Sequence, residues 1–236
     1  MANHRVAGAI SEQHHWNRHW RSLVGERRHF GKLASAMRRL VLARAVHHYT
    51  TRFFAPHGLF VEAGCGSAES SARIRRLQRK LVGVDFSLAA LRLARRQRIF
   101  DGLLCADIQQ LPFRDSSLAG IWNLGVMEHF APPAAQRILA EFHRILKPQA
   151  PALLFWPPTF GLSRWALAPV EWTRSRLAGQ QFRFFPDEVN RLPSRRAARQ
   201  ALGKTGLEAV RLDFNLRDGF THLVVVARKP SSRTPE

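Results

Sequence analysis

One short glycine-containing segment could do recognisable chemistry. Residues Glu62–Ser67 read EAGCGS and follow directly on the apolar run Leu59–Ala63. Two glycines one residue apart allow the backbone to turn sharply and to approach a ligand without a side-chain clash. A helix that follows such a turn points its free amides at the same place. The segment therefore predicts a loop at the end of a strand that holds a nucleotide-like ligand.

The loop differs from a dinucleotide-binding loop at one position. Dinucleotide loops carry a third glycine three residues after the second. Here that position is Glu69, and a glutamate is poorly placed against a pyrophosphate. The difference disfavours NAD and FAD and favours a ligand that has no phosphate.

Two aspartates follow later apolar runs at spacings that suit a nucleoside. Asp85 lies 21 residues after the first glycine, where a carboxylate can accept hydrogen bonds from both ribose hydroxyls. The alternative is a turn or helix N-cap aspartate, and Ser87 is an equally good cap. Asp107 can accept the adenine amino group while Ile108 and Phe86 enclose the ring. The alternative for Asp107 is a solvated turn residue.

Short apolar runs alternate with helical patterns along most of the chain. The predicted strands are Leu59–Ala63, Leu81–Asp85, Gly102–Ala106, Leu118–Leu124, Ala152–Trp156, Leu207–Phe214 and Thr221–Lys229. The predicted helices are Gly31–Tyr49, Glu69–Lys80, Leu88–Arg98, Pro133–Leu146 and Arg195–Gly203. Such alternation predicts an α/β fold in which helices cover both faces of a parallel sheet.

The same pattern predicts how the chain is divided. We expect an N-terminal helical cap over residues 1–57 and a core over residues 58–230. A cap or lid insertion interrupts the core at about residues 157–192, and residues 231–236 form a disordered tail.

Five segments in this order resemble a class I S-adenosylmethionine-dependent methyltransferase. They read VEAGCGSAE, LVGVDFS, CADIQQLPF, IWNLGVMEHF and ILKPQAPALLFW. More narrowly, they are similar to the subgroup that includes quinone-type and many small-molecule methyltransferases. The resemblance covers Leu59–Trp156 closely and the last two strands loosely. It implies a Rossmann-like, seven-stranded, mostly parallel sheet whose last strand, Thr221–Lys229, is antiparallel.

The resemblance also implies a cofactor, S-adenosylmethionine, and a set of residues that hold it. Glu62 and the glycine loop would lie along the methionine part, Asp85 at the ribose and Asp107 at the adenine. The expected cofactor-binding residues are Glu62, Gly64, Cys65, Gly66, Asp85, Phe86, Asp107, Ile108 and Asn123. The chain departs from many relatives in lacking an N-terminal tyrosine over the cofactor, because its only tyrosine is Tyr49.

Methyl transfer mainly requires alignment of donor and acceptor, and a base only where the acceptor must lose a proton. His129 follows the fourth predicted strand and is the candidate catalytic base, since its ordinary pKa lies near neutrality. The alternative is that His129 orients the loop or caps the helix that begins near Pro133.

No residue cluster predicts a metal site, and two cysteines predict no disulfide framework.

The acceptor must be recognised by the N-terminal helices and by Pro157–Leu192. That second segment carries Trp165 and Trp172 among several arginines. It is interpreted as a cap packed on the sheet, as a lid over a bulky apolar acceptor, or as an interfacial element on anionic lipid.

The chain carries 37 Lys and Arg against 17 Asp and Glu, a net charge of +20. Such a charge suits an anionic membrane or nucleic acid, or it reflects a general preference for arginine. No zinc ribbon, separate RNA-binding module or Asn/Asp-Pro-Pro-Tyr/Phe signature is visible, so we expect a small-molecule or lipid-like acceptor. The alternative is a non-catalytic or RNA-directed basic protein.

Without an apolar run of about 18 residues we expect a cytoplasmic protein, with peripheral membrane attachment as an option. The oligomeric state is not predicted.

Overall fold

A computed structural model describes residues 16–21, 35–161, 176 and 188–231 of the chain. Its strands are β1 (His57–Ala63), β2 (Gln78–Asp85), β3 (Gly102–Cys105), β4 (Gly120–Leu124), β5 (Pro151–Trp156), β6 (Glu208–Asp213) and β7 (Leu223–Arg228). Its longer helices are α1 (Ala43–Phe53), α2 (Leu88–Gln97), α3 (Pro132–Ile145) and α4 (Arg195–Gly203). These bounds lie within a few residues of the predicted ones for every strand except β2.

The strands form one sheet in the order β3-β2-β1-β4-β5-β7-β6. All neighbouring pairs from β3 to β5 are parallel, whereas β7 is antiparallel to both β5 and β6. The Rossmann-like sheet with an antiparallel last strand is therefore confirmed. The strand order reverses between β1 and β4, and ligands of open α/β sheets bind in the crevice outside the carboxyl ends of strands at such a point.

Both faces of the sheet are covered, which explains why the central strands β4, β5 and β7 are largely apolar. On one face, Ile121 packs in a large core with residues of α3 and α4. On the other face, its neighbour Trp122 packs with residues of α1. Both side chains are fully buried, because successive residues of a strand point to opposite faces.

The predicted helix Glu69–Lys80 is wrong. Only Glu69–Ser71 is helical, as a single 3-10 turn, and Gln78–Lys80 already belong to β2. The side chain of Arg79 is buried and donates to the carbonyl oxygens of Thr50, Phe54, Ala55 and Arg75. Thr50 and Phe54 lie at the end of α1, so Arg79 bonds the end of this helix to β2. The basic side chain of Arg79 therefore faces inward, whereas the sequence pattern predicts a helix whose basic face is exposed to solvent.

The N-terminal helix is present, although its start at residues 31–34 lies outside the described residues. Residues 35–53 are helical, with a π-helical turn at Arg38–Leu42 before α1, and residues 16–21 form a separate short helix. Most of the predicted insertion also lies outside the described residues, including Trp165 and Trp172, as does the predicted tail from residue 232 on. The two ends of the predicted insertion meet in a bridge between Pro158 and Leu192. The domain boundaries stay a prediction. In the described ranges, no helix combines the length and apolar character needed to cross a membrane.

Candidate functional site

The glycine loop leaves β1 in a conformation that requires glycine. Gly64 has φ +76°, and a Cβ atom there would lie 2.5 Å from Cγ2 of Val126. The amides of Gly64 and Cys65 both donate to the carbonyl of Val84, at 2.8 and 2.9 Å. The loop is thus bonded to the end of β2, and its turn leaves no room for a side chain at Gly64. Burial raises the pKa of the Cys65 thiol well above its ordinary value, so the loop carries no reactive thiolate.

The carboxyl group of Asp85 joins the glycine loop to the start of α2. Its Oδ2 accepts from the Gly66 amide at 2.9 Å and its Oδ1 from the Ser87 amide at 2.8 Å. Burial raises the pKa of Asp85, and the two amides oppose that shift. A carboxylate offers about four acceptor positions, so two remain for other donors. Ser87 is the N-cap of α2 through the amide of Ala90. Asp85 therefore does not cap α2, but its bond to the Ser87 amide two residues on is that of a turn aspartate. Its contact with the ribose hydroxyls of a nucleoside stays a prediction.

Glu62 is buried beside the loop as a carboxyl group held by one hydroxyl. Its Oε2 accepts from Ser71 Oγ at 2.7 Å, and the same hydroxyl accepts from Trp122 Nε1 at 3.3 Å. Burial raises the pKa of Glu62 to about 8. The group is thus largely protonated at neutral pH, and a cationic group placed beside it would favour its ionised form. Sequence analysis did not identify Ser71, because it treated this segment as an ordinary helix.

Asp107 and its neighbours follow β3, the strand beside β2. Asp107 is exposed, and its Oδ1 accepts from the Gln109 amide at 2.9 Å, which is the geometry of a solvated turn. The remaining carboxylate positions are available to an amino group. Ile108 is 6% exposed and packs into the large core, whereas Phe86 is half-buried. The structure brings these residues to the same sheet edge as Asp85, and their contact with an adenine ring stays a prediction.

Asn123 lies near the end of β4 and is fully buried. Its side-chain nitrogen and oxygen have no hydrogen-bond partner among the described residues, and neither has Oε2 of Glu128. Leaving a buried polar group without a partner costs about 1–3 kcal/mol. Burial, followed by the charge of Glu188, raises the pKa of Glu128 to about 8. Two unsatisfied polar groups, one near the end of β4 and one just after it, suit a polar ligand in the crevice.

The short helix at residues 16–21 covers the loop. A Cβ atom on Gly66 would lie 2.7 Å from Cζ2 of Trp20, so the indole lies directly over this glycine. Asn17 Oδ1 accepts from Ser87 Oγ at 2.8 Å. Sequence analysis missed both residues, although the richness of this region in His, Arg and Trp was a signal.

The candidate base His129 lies under the same helix. It is 8% exposed, and its ring meets the ring of Trp16 edge to face, with 4.8 Å between centroids. Its Nε2 lies 3.9 Å from Glu128 Oε1. The arrangement accommodates a base, and it equally accommodates a residue that supports Trp16. The role of His129 stays a prediction.

Residues 61–154 of the chain match a family described as "Methyltransferase domain". A malonyl-[acyl-carrier protein] O-methyltransferase of Yersinia pestis is 32% identical over 110 residues, which are 45% of this chain and 40% of that protein. A second protein of that description, from Laribacter hongkongensis, is 29% identical over 96 residues, 36% of this chain and 32% of that protein. The chain thus spans less than half the length of the curated relatives it matches.

Solved structures share the fold over nearly the whole chain. A possible histamine N-methyltransferase from Thermotoga maritima superimposes with a TM-score of 0.59 at 20% identity, covering 91% of this chain and 98% of that one. Magnesium protoporphyrin IX methyltransferase from Synechocystis, with bound S-adenosylmethionine, gives a TM-score of 0.60 at 15% identity and covers 90% of each chain. Residues 61–154 thus match a methyltransferase domain, and the sheet order and the solved structures show that the chain has the fold of S-adenosylmethionine-dependent methyltransferases.

Proposed function

We propose that this chain transfers a methyl group from S-adenosylmethionine to a small-molecule or lipid-like acceptor by in-line displacement. The observation that carries the proposal is the carboxyl group of Asp85. It ties the glycine loop after β1 to the start of α2, one strand away from the point where the strand order reverses, and it keeps acceptor positions that none of the described residues uses.

The residues of the crevice divide the binding task. Asp85 accepts the ribose hydroxyls, and the glycine loop Gly64–Gly66 lies along the methionine part. Glu62, buried beside the loop, would become ionised next to a cationic amino group. When bound, S-adenosylmethionine supplies a methyl group already activated on a sulfonium. The protein's own contribution is then to exclude water and to align the acceptor.

The curated relatives and the charge of the chain narrow the range of possible acceptors. Those relatives are described as O-methyltransferases of a malonyl group on an acyl carrier protein. We infer an acceptor of the same chemistry here, an acyl thioester with a free carboxylate presented by an acidic carrier. A carboxylate is ionised at neutral pH and needs no base. A net charge of +20 attracts an acidic partner over long range.

Methyl transfer from labelled cofactor tests the proposal. The protein is incubated with the malonyl thioester of an acyl carrier protein, with the same thioester on a small thiol, and with long-chain free acids. We expect methyl ester formation on the carrier-bound malonyl group, and its loss in Asp85→Asn. The matched control is Asp115→Asn, because the Asp115 side chain is 76% exposed and lies outside the crevice. A folded protein that binds the cofactor but methylates none of these acceptors would refute the proposed acceptor class and would favour a non-catalytic basic protein.

A further inference from the structure

A second concave site lies away from the cofactor crevice, between α1 and β6. It is a half-open cavity of about 220 Å³. The residues that define its chemistry are His48, Tyr49, Arg52, Arg211, Asp213 and Arg217. Sites that enclose drug-sized ligands measure roughly 300–1,000 Å³, so this cavity suits a small group and not a whole cofactor.

The charges in the cavity do not cancel. Asp213 Oδ2 accepts from Arg211 Nε at 2.6 Å and from the Tyr49 hydroxyl at 2.9 Å, so the single carboxylate is already matched by one arginine. Arg52 and Arg217 are exposed, and neither has a carboxylate within ion-pair distance among the residues that the structure describes. Two positive charges thus remain at the mouth of the cavity.

The wall of the cavity is held in place by its own hydrogen bonds. The Tyr49 hydroxyl donates to Asp213 and accepts from Asn215 Nδ2 at 3.0 Å. The guanidinium of Arg52 lies 5.8 Å from the centre of the Phe53 ring, which supports it. These contacts distinguish the cavity from an ordinary cluster of solvated arginines on a basic protein.

We propose that this cavity is a binding site for a dianionic phosphate group, either on a soluble phosphate ester or on a lipid headgroup. Two guanidinium groups without a carboxylate partner match the charge of such a group and offer the forked donors that phosphate oxygens accept. His48, which lines the same cavity, adds a third donor when protonated. Burial, followed by the charges of Arg217, Arg52 and Arg211, lowers the pKa of His48, and Asp213 opposes that shift. A bound anion would therefore raise it.

The site lies along the same edge of the sheet as the cofactor crevice. Asp213 pairs with Val224 and Val224 with Phe155, which pairs with Leu124 at the end of β4. Four strand spacings separate β6 from β1, which at about 4.8 Å each places the cavity about 19 Å from the glycine loop. A phosphate held there leaves the crevice free, so the inference does not depend on the proposed methyl transfer.

The test uses inorganic phosphate and glycerol phosphate as soluble probes, and vesicles containing phosphatidic acid as the lipid probe. Arg52→Gln/Arg217→Gln removes the two charges at the cavity, and Arg95→Gln/Arg96→Gln removes two exposed charges from α2 as a matched control. For the probe that is the true source, we expect the cavity variant to bind about tenfold or more weakly, because charged hydrogen bonds are lost. The control variant should stay close to the parent protein.

The pKa of the His48 imidazole, followed by NMR, is a second readout. A general effect of net charge would change it equally in the cavity variant and in the control variant. This pKa should rise on binding in the parent protein and in the control variant, and stay unchanged in the cavity variant. If the cavity variant alone loses affinity for the soluble probes, the ligand is a soluble phosphate ester. If it alone loses affinity for the vesicles, the ligand is a lipid headgroup. Equal losses in the two variants, or no binding of either probe, would overturn the proposal.

Discussion

The buried carboxyl group of Glu62 should make the stability of the cofactor-free protein fall as pH rises. Burial raises its pKa to about 8 from an ordinary value of 4.5. Between these two values the folded protein keeps a proton that the unfolded chain has released. The stabilisation is therefore complete below the unfolded pKa and is lost as pH rises towards the folded pKa. The loss amounts to about 1.4 kcal/mol of unfolding free energy per pH unit.

Glu62→Gln isolates this effect, because the amide resembles the protonated acid and does not titrate. Between about pH 5.5 and about pH 7.5, the unfolding free energy of the variant relative to that of the parent protein should rise by about 2.5 kcal/mol. Taking the difference removes the contributions of other groups. These include Glu128, which acts in the same direction, and His48 and His143, whose lowered pKa values act in the opposite direction.

Urea denaturation at several pH values measures the difference. The matched control is Glu141→Gln, because the pKa of Glu141 is lowered overall, by hydrogen bonds to Arg144 and the Leu111 amide that outweigh burial. A group with a depressed pKa keeps its stabilisation above its unfolded pKa, so the control difference should stay constant across this range. A Glu62→Gln curve that runs parallel to that of the parent protein would refute the assignment of a buried neutral carboxyl.

Three further predictions test other parts of the site, the first with a control variant outside it. Gly64→Ala should lower the unfolding free energy by about 2 kcal/mol or more, since it forces a positive φ and a contact with Val126. Gly203→Ala, which meets open space in α4, should raise it by about 0.5–1 kcal/mol; urea denaturation that ranks the two equally would contradict the loop geometry. Titration with S-adenosylmethionine should change the tryptophan fluorescence, and Trp20→Phe should remove most of that change; an unaltered response would show that Trp20 does not cover the cofactor. His129→Ala should keep turnover on a carboxylate acceptor within about tenfold, whereas a general base contributes about a hundredfold or more, so a loss of that size in initial rates would make His129 the base.

The parallel part of the fold could be predicted because its strands contain short apolar runs, and three of these runs have a polar residue at or near their end. Asp85 is the last residue of β2, and Glu62 and Asn123 are the next-to-last residues of β1 and β4; the resemblance assigns all three to the cofactor. β2 was predicted too short because Arg79 points inward. Its charge is accommodated by four carbonyl oxygens from other segments, and a local pattern contains no information about such partners.

The parts of the site that could not be predicted depend on contacts between distant segments. Trp20 reaches Gly66 and Asn17 reaches Ser87 across many residues of chain. Ser71 was assigned to an ordinary helix, so its bond to Glu62 could not be anticipated. The cavity at α1 likewise joins Tyr49 to Asp213, 164 positions apart. Spacing along the chain predicts what a strand end presents, but not which remote side chain covers it.

Direct binding of S-adenosylmethionine to the purified chain tests the central claim most closely. Titration calorimetry with the parent protein, Asp85→Ala and the exposed control Asp115→Ala measures both affinity and stoichiometry. We predict one molecule bound per chain, at least about tenfold weaker binding in Asp85→Ala because hydrogen bonds to a charged group are lost, and no change in the control. A folded parent protein that binds no cofactor, or an Asp85→Ala variant that binds it as tightly, would contradict the account.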